Sequence, residues 1–175
     1  MITGDGFFMS VKAIVYTSST GFTRQYALML SRRTGLPAYT ISESKKNLPQ
    51  GAKIVYLGWI MASSVSGFNQ AVQRYNVIAV AGVGLSPAGV QEQEVRKVTG
   101  VPADMPLITL QGGFDMKKLN CINKLIMKVV RKKITKSIEE KPVKTAEDKL
   151  ILDMLWNGNS AVNERDLDKL MGYFD

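Results

Sequence analysis

Between Lys12 and Leu110 short apolar runs alternate with longer segments of helical or polar spacing. The runs Lys12–Tyr16, Ala38–Ile41, Lys53–Trp59, Val77–Gly84 and Leu107–Leu110 read as five strands. In the third, Ile54, Val55, Tyr56 and Leu57 follow one another without a polar alternate, as a strand covered on both faces requires. Helices are predicted between them. The first carries Tyr26, Ala27, Leu28 and Leu30 and stops at Arg32-Arg33-Thr34-Gly35-Leu36-Pro37. Ser42–Gly51 reads as a polar connection, Phe68–Tyr75 as a short helix, and Pro87–Thr99 as a helix closed by Gly100-Val101-Pro102. This alternation predicts an α/β fold, a doubly wound five-stranded parallel sheet in the order 2-1-3-4-5 with right-handed crossovers.

Beyond Gly112-Gly113 the spacing changes. A long helix is expected from Asp115, with Leu119, Ile122, Ile126, Val129 and Val130 as one buried stripe. Pro142 ends that segment, Thr145-Ala146-Glu147-Asp148 has the form of a capping box opening a helix through Trp156, and Gly158 stops it. Asn163–Phe174 is expected as a final short helix with Leu167, Leu170, Met171 and Phe174 on its apolar side. The expectation is a single domain over residues 1–175, with a core over 11–141 and a C-terminal helical extension over 142–175.

Charge alters this picture at one place. The long helix region carries Lys117, Lys118, Lys124, Lys128, Arg131, Lys132, Lys133 and Lys136 with no acid among them. The remaining 15 Lys and Arg equal the 15 Asp and Glu, so the formal net charge of +8 resides here. Such a surface is either a solvated helix face or a one-signed patch that attracts anions. An acidic redox partner, an anionic small-molecule substrate or an anionic membrane surface fits it, whereas no RNA- or DNA-module pattern accompanies the charge.

Histidine is absent, which removes Ser-His-Asp and Cys-His catalysis and His-ligated metals or haem. A single cysteine, Cys121, excludes a disulfide framework and an iron–sulfur cluster; it reads as a small buried hydrophobe in a reducing cytoplasm. No apolar run reaches the roughly 20 residues of a membrane span. Met1–Ser10 lacks the form of a secretory signal, and Met9 is an alternative start.

The candidate chemistry lies in Ile14-Val15-Tyr16-Thr17-Ser18-Ser19-Thr20-Gly21-Phe22-Thr23-Arg24-Gln25-Tyr26-Ala27. A strand enters a loop of hydroxyls and leaves as a helix, so Ser18, Ser19, Thr20 and Thr23 and the backbone amides can surround an anion at the positive end of the helix dipole. The same residues also make a capped turn with no ligand. No lysine is present, which departs from the P-loop, and the glycine spacing does not match the dinucleotide fingerprint.

Tyr16-Thr17-Ser18-Ser19-Thr20-Gly21-Phe22-Thr23 followed by Ala27 resembles the phosphate-binding loop of the flavodoxin family. There a Ser/Thr, a Thr-Gly pair and a second Thr hold the phosphate of FMN. Phe22, in place of the Asn of many short-chain members, is similar to the branch containing the menaquinone-dependent protoporphyrinogen oxidases. The resemblance implies a flavodoxin-like sheet binding FMN at the carboxyl edge of its strands. The loop Gly58–Gly67 then lies beside the phosphate loop. Trp59, Ile60 and Met61 would wall one face of the flavin ring, with the N–H groups of Ala62, Ser63 and Ser64 beside it. Gly84 and Leu85, within Gly82–Pro87, would line the other face without the aromatic many flavodoxins place there. Trp59 serves equally as the end of a core strand. Three functions follow: an electron-transfer flavoprotein, a protoporphyrinogen dehydrogenase-like enzyme, or a binding module of this fold without cofactor.

Overall fold

The computed structural model describes residues 10–174 except 116, 118 and 120, together with the backbone but not the side chains of 122 and 123. The expectations for the leader and Met9 lie outside the described residues. Strands β1 (Ala13–Thr17), β2 (Ala38–Thr40), β3 (Lys53–Met61), β5 (Asn76–Gly84) and β6 (Leu107–Gln111) run parallel. A two-residue strand, β4 (Ser64–Val65), folds back antiparallel on the end of β3. The expected five strands are therefore six, in the order β2-β1-β3-β5-β6 with β4 on β3.

β1 and β3 occupy the centre, and their residues from Ile14 to Val15 and from Ile54 to Leu57 have no solvent exposure. That is why those runs lack polar alternates. Helices α1 (Phe22–Thr34), α2 (Ile41–Asn47), α3 (Phe68–Arg74) and α4 (Glu92–Thr99) connect the strands. Phe22, Tyr26, Ala27 and Leu30 of α1 bury one sheet face together with Ile14, Val55, Leu57 and Leu110. Phe68, Ala71 and Val95 bury the other with Val15, Ile54, Tyr56 and Val80. α2 corrects the expected polar connection: the Thr40 hydroxyl accepts from the Glu43 amide at 3.2 Å and the Glu43 carboxylate accepts from the Thr40 amide at 2.8 Å, a reciprocal cap that starts a helix in a polar sequence.

The long helix, α5 (Cys121–Glu139), begins six residues after the expected Asp115 and leads to α6 (Ala146–Asn157). Its predicted stripe is not a core stripe: Ile126 and Val129 are exposed, as is Cys121, which the sequence placed inside. Among the described residues of α5 only Ile138 is buried, and a separate small core of Phe114, Leu119, Met154 and Leu155 joins α5 and α6 to the end of the sheet. Helical spacing records that a stripe exists, not what covers it.

The chain then returns. Phe114 N–H donates to Asn159 C=O at 3.1 Å, and Ala161 N–H to Gly112 C=O at 2.8 Å. A 3-10 turn (Glu164–Leu167) and α7 (Asp168–Met171) stand where one final helix was expected. Leu167 and Leu170, both fully buried, complete the α1 face of the sheet. Tyr26 pins this return: its hydroxyl donates to Gln111 C=O at 2.5 Å and accepts from Asn163 N–H at 3.1 Å. Burial pushes its pKa up to about 12. Arg33 adds an ion pair to Asp168 at 2.8 Å.

Candidate functional site

Three loops meet at the carboxyl ends of β1, β3 and β5, and α5 passes over them. They enclose a cavity of about 540 Å³, within the roughly 300–1,000 Å³ of small-molecule sites.

The first loop supplies one end. Ser19, Thr20, Phe22 and Thr23 line the cavity. Ser18 does not: its hydroxyl accepts from the amides of Gly21 at 3.1 Å and Arg24 at 3.4 Å, so it shapes the turn from within. Gly21 stands at the N-cap of α1 with φ of +95°, a left-handed conformation that disfavours any residue with a Cβ, although open space surrounds it. α1 starts with no cap from its N-cap side chain and no acid in its first turn. α2 and α6, in contrast, open on complete Thr-to-acid capping boxes. The start of α1 thus keeps its positive end toward the cavity without a built-in counter-charge.

The second loop is a hairpin rather than the open loop expected from Gly58–Gly67. β3 continues to Met61, turns through Ala62 and Ser63 at φ of +49° and +61°, and returns as β4 with Ile60 opposite Val65. Two successive left-handed residues are the geometry of a tight two-residue hairpin. Neither is glycine or asparagine, so the tip is strained. Two contacts hold it: the Ser63 hydroxyl bonds Glu94 on α4 at 2.6 Å, and the Val65 amide donates to the buried Thr99 hydroxyl at 2.9 Å. Trp59, Ile60, Met61, Ala62 and Ser63 all line the cavity, whereas Ser64 is taken into the hairpin.

The hairpin is tied to the first loop by a hydroxyl relay. The Tyr56 hydroxyl donates to Ser66 C=O at 2.7 Å and lies 2.7 Å from the Thr17 hydroxyl. With the one tyrosine proton on the carbonyl, Thr17 is the donor to the tyrosine oxygen. Burial raises the Tyr56 pKa to about 12, so the phenol keeps that proton. The relay leaves no room for a side chain at Gly67, where an added Cβ would overlap both the Tyr56 and Thr17 oxygens.

The third loop, after β5, brings Val83, Gly84, Leu85 and Ser86 to the cavity. Ile60 lies across the bare backbone of Gly82 and Gly84: a Cβ on Gly82 would meet Ile60 Cδ1 at 2.9 Å, and one on Gly84 at 3.2 Å. The Gln111 side chain steadies the loop by donating to Leu85 C=O at 3.0 Å.

Of the sequence-predicted residues, the structure brings Ser19, Thr20, Phe22, Thr23, Trp59, Ile60, Met61, Ala62, Ser63, Gly84 and Leu85 onto one cavity and leaves Ser18 and Gly21 behind its wall. The sequence reading missed the roof. Ile126, Met127, Val130 and Ile134 of α5 close the cavity from above, with Phe114 and Leu119 beside them. The same three- and four-residue spacing that predicted a core stripe contained this information, but not its destination. Among the described residues no charged side chain lines the cavity. An anion held there would rest on hydroxyls, amides and the α1 dipole, and the rest of the ligand would meet apolar walls. Among the described residues no group of His, Cys, Asp or Glu is arranged to hold a metal. No protein-family model matches the chain, and neither the curated proteins nor the solved structures contain a significant match to it.

Proposed function

We propose that this is a flavodoxin-like redox protein that holds FMN in the cavity. One observation carries the reading: a cavity with hydroxyls and the start of α1, with no acid in its first turn, at one end and an uncharged, apolar interior at the other. That donor set suits a ligand with a single phosphate and a broad apolar ring. Ser19, Thr20 and Thr23 would hold the phosphate; Trp59, Ile60 and Met61 would bear on the ring from one side, and Leu85 from the other. FMN, when bound, accepts electrons from one partner and delivers them to another. The chain's residues orient it, keep water from the ring and fix which edge is reachable.

The experiment is an FMN titration of the purified protein, followed by quenching of flavin fluorescence. Saturable binding at one site is expected. Thr20→Val should weaken it about tenfold or more, since a hydrogen bond to a charged group is worth roughly 1.5–3 kcal/mol. Absence of binding removes both this proposal and the next, and leaves the cofactor-free module.

A second reading is favoured by the α5 roof. A carrier presents its flavin edge to a protein partner, whereas Ile126, Met127, Val130 and Ile134 cover the cavity with aliphatic side chains. That cover suits an enzyme whose substrate has an apolar body and reaches the site past the lysines of α5. The resemblance implies a propionate-bearing tetrapyrrole. Turnover of protoporphyrinogen by the flavin-loaded protein with a quinone acceptor would select the enzyme; electron delivery to a protein acceptor with no such turnover would select the carrier.

A further inference from the structure

The face of α5 turned away from the cavity has an unusual mixture of side chains. Leu125 and Val129 are 68% and 64% exposed, among the most exposed large hydrophobic residues of the chain. At helical spacing they share one line with Lys132 and Lys136, since positions i, i+4, i+7 and i+11 lie on one face. Lys128 and Lys133 flank that line and are exposed. Ile126, 43% exposed, lies at its edge and also lines the cavity. Lys136 reaches Glu140 at 3.7 Å, and from residue 116 to 138 the chain contains no Asp or Glu.

We infer that this face docks the protein on an anionic lipid bilayer, with Leu125, Ile126 and Val129 entering the headgroup boundary and the lysines meeting lipid phosphates. Aliphatic tips and lysines on one helix face are what an interfacial helix needs: the lysine stems lie along apolar surface while the ammonium groups reach outward. A second copy of the chain fits less well, because two such faces would set lysines against lysines. An acidic protein would match the charge but has no evident use for the exposed aliphatics Leu125 and Val129 in that line, with Ile126 at its edge. Among the described residues no helix is long and apolar enough to cross a membrane, so the contact is one of lying on the surface. Ile126 belongs to both the face and the cavity wall, which sets the cavity rim against the bilayer. The inference holds whatever the cavity binds.

Co-sedimentation of the full chain with vesicles tests it, using phosphatidylcholine alone and phosphatidylcholine mixed with phosphatidylglycerol. Binding is expected only to the mixed vesicles and should weaken as salt rises. Replacing Lys128, Lys132 and Lys133 together by Glu should lower the partition at least ~100-fold, because each of the three basic residues near an anionic surface is worth roughly fivefold. Leu125→Gln with Val129→Gln should lower it about tenfold through lost apolar insertion and leave the residual binding more dependent on salt. All five positions are exposed, so circular dichroism and melting should match the parent. The inference is overturned if the parent ignores the mixed vesicles or if both variants bind as well as the parent. It is equally overturned if the parent dimerises through Leu125 and Val129 without binding vesicles.

Discussion

The sheet and the α5–α6 arm are built on different terms, and the cavity between them inherits both. In the sheet, β1, β3, β5 and β6, of five to nine residues, are shielded on two faces, and Ile14, Val15, Ile54, Val55 and Leu57 are without exposure. The arm has the longest helix of the described residues, yet it shares only the small core of Phe114, Leu119, Met154 and Leu155. Local devices hold it instead. Thr145 and Asp148 cap α6, the Lys141 ammonium reaches Asp148 at 2.6 Å, and Arg131 stacks over Trp156 at 4.1 Å from the ring centre. A region with little buried apolar contact opens at lower free energy than one with much. The floor of the site should therefore resist local opening, and its roof should open without unfolding the sheet.

The largest effects should come from removing core atoms on each side. Leu57→Ala should cost about 2–5 kcal/mol of global stability, measured by chemical denaturation. Leu155→Ala should instead lower the hydrogen-exchange protection of α5 and α6 while the amides of β3 keep theirs. If both variants shift all amides together, the two regions form one cooperative unit and the contrast is lost. Next in size is the joint between the first two loops. Gly67→Ala forces a Cβ against Tyr56 and Thr17 at a φ of +80°, and overpacking of this kind costs about 1–3 kcal/mol. Thr145→Ala removes one member of the α6 cap and should weaken the arm by about 1 kcal/mol, read as faster exchange in α6 and unchanged exchange in β1 and β3.

The smallest and most selective probe is pH. Lys141 first, and then the Thr145 amide, hold the Asp148 carboxyl below the usual carboxylate range. Its contribution is thus present above the ordinary carboxylate pKa and is lost as pH falls through the lowered one. Burial raises Tyr26 and Tyr56 to about 12, so their contribution is complete below the ordinary tyrosine pKa and is lost as pH rises toward 12. Acid should loosen the α6 cap, and alkali the tyrosine-held joints of the sheet. Trp156 lies in α6 and Trp59 at the end of β3, so Trp59→Phe and Trp156→Phe leave one fluorescent reporter for each region. Emission from Trp156 should change on acidification, and Asp148→Asn should reduce that change, Asp153, whose carboxyl Asn157 and Asn159 also hold low, keeping the remainder.

The sheet was legible because burial on both faces writes itself as unbroken apolar runs, as in Ile54–Leu57. The hydroxyl loop was legible because strand, Ser/Thr cluster, glycine and helix follow one another within a dozen residues. The hairpin at Ala62-Ser63 was not, since its two left-handed residues lack the Gly or Asn that mark such turns. Contacts outside the strand order, to Glu94 and Thr99, hold it in place. The roof was misread for a different reason. Ile126, Val129 and Val130 have the spacing of a core stripe, and only the fold divides them between cavity and solvent.

The return of the chain at Tyr26 has a consequence for synthesis. Leu167 and Leu170 cover the part of the sheet face beside α1 that α1 does not reach, and Asn163 bonds a hydroxyl placed 137 positions earlier. All six strands can leave the ribosome while that part of the face is still uncovered. Covering of that face is thus expected to wait for the segment around Leu170, and until then the nascent chain would present apolar surface.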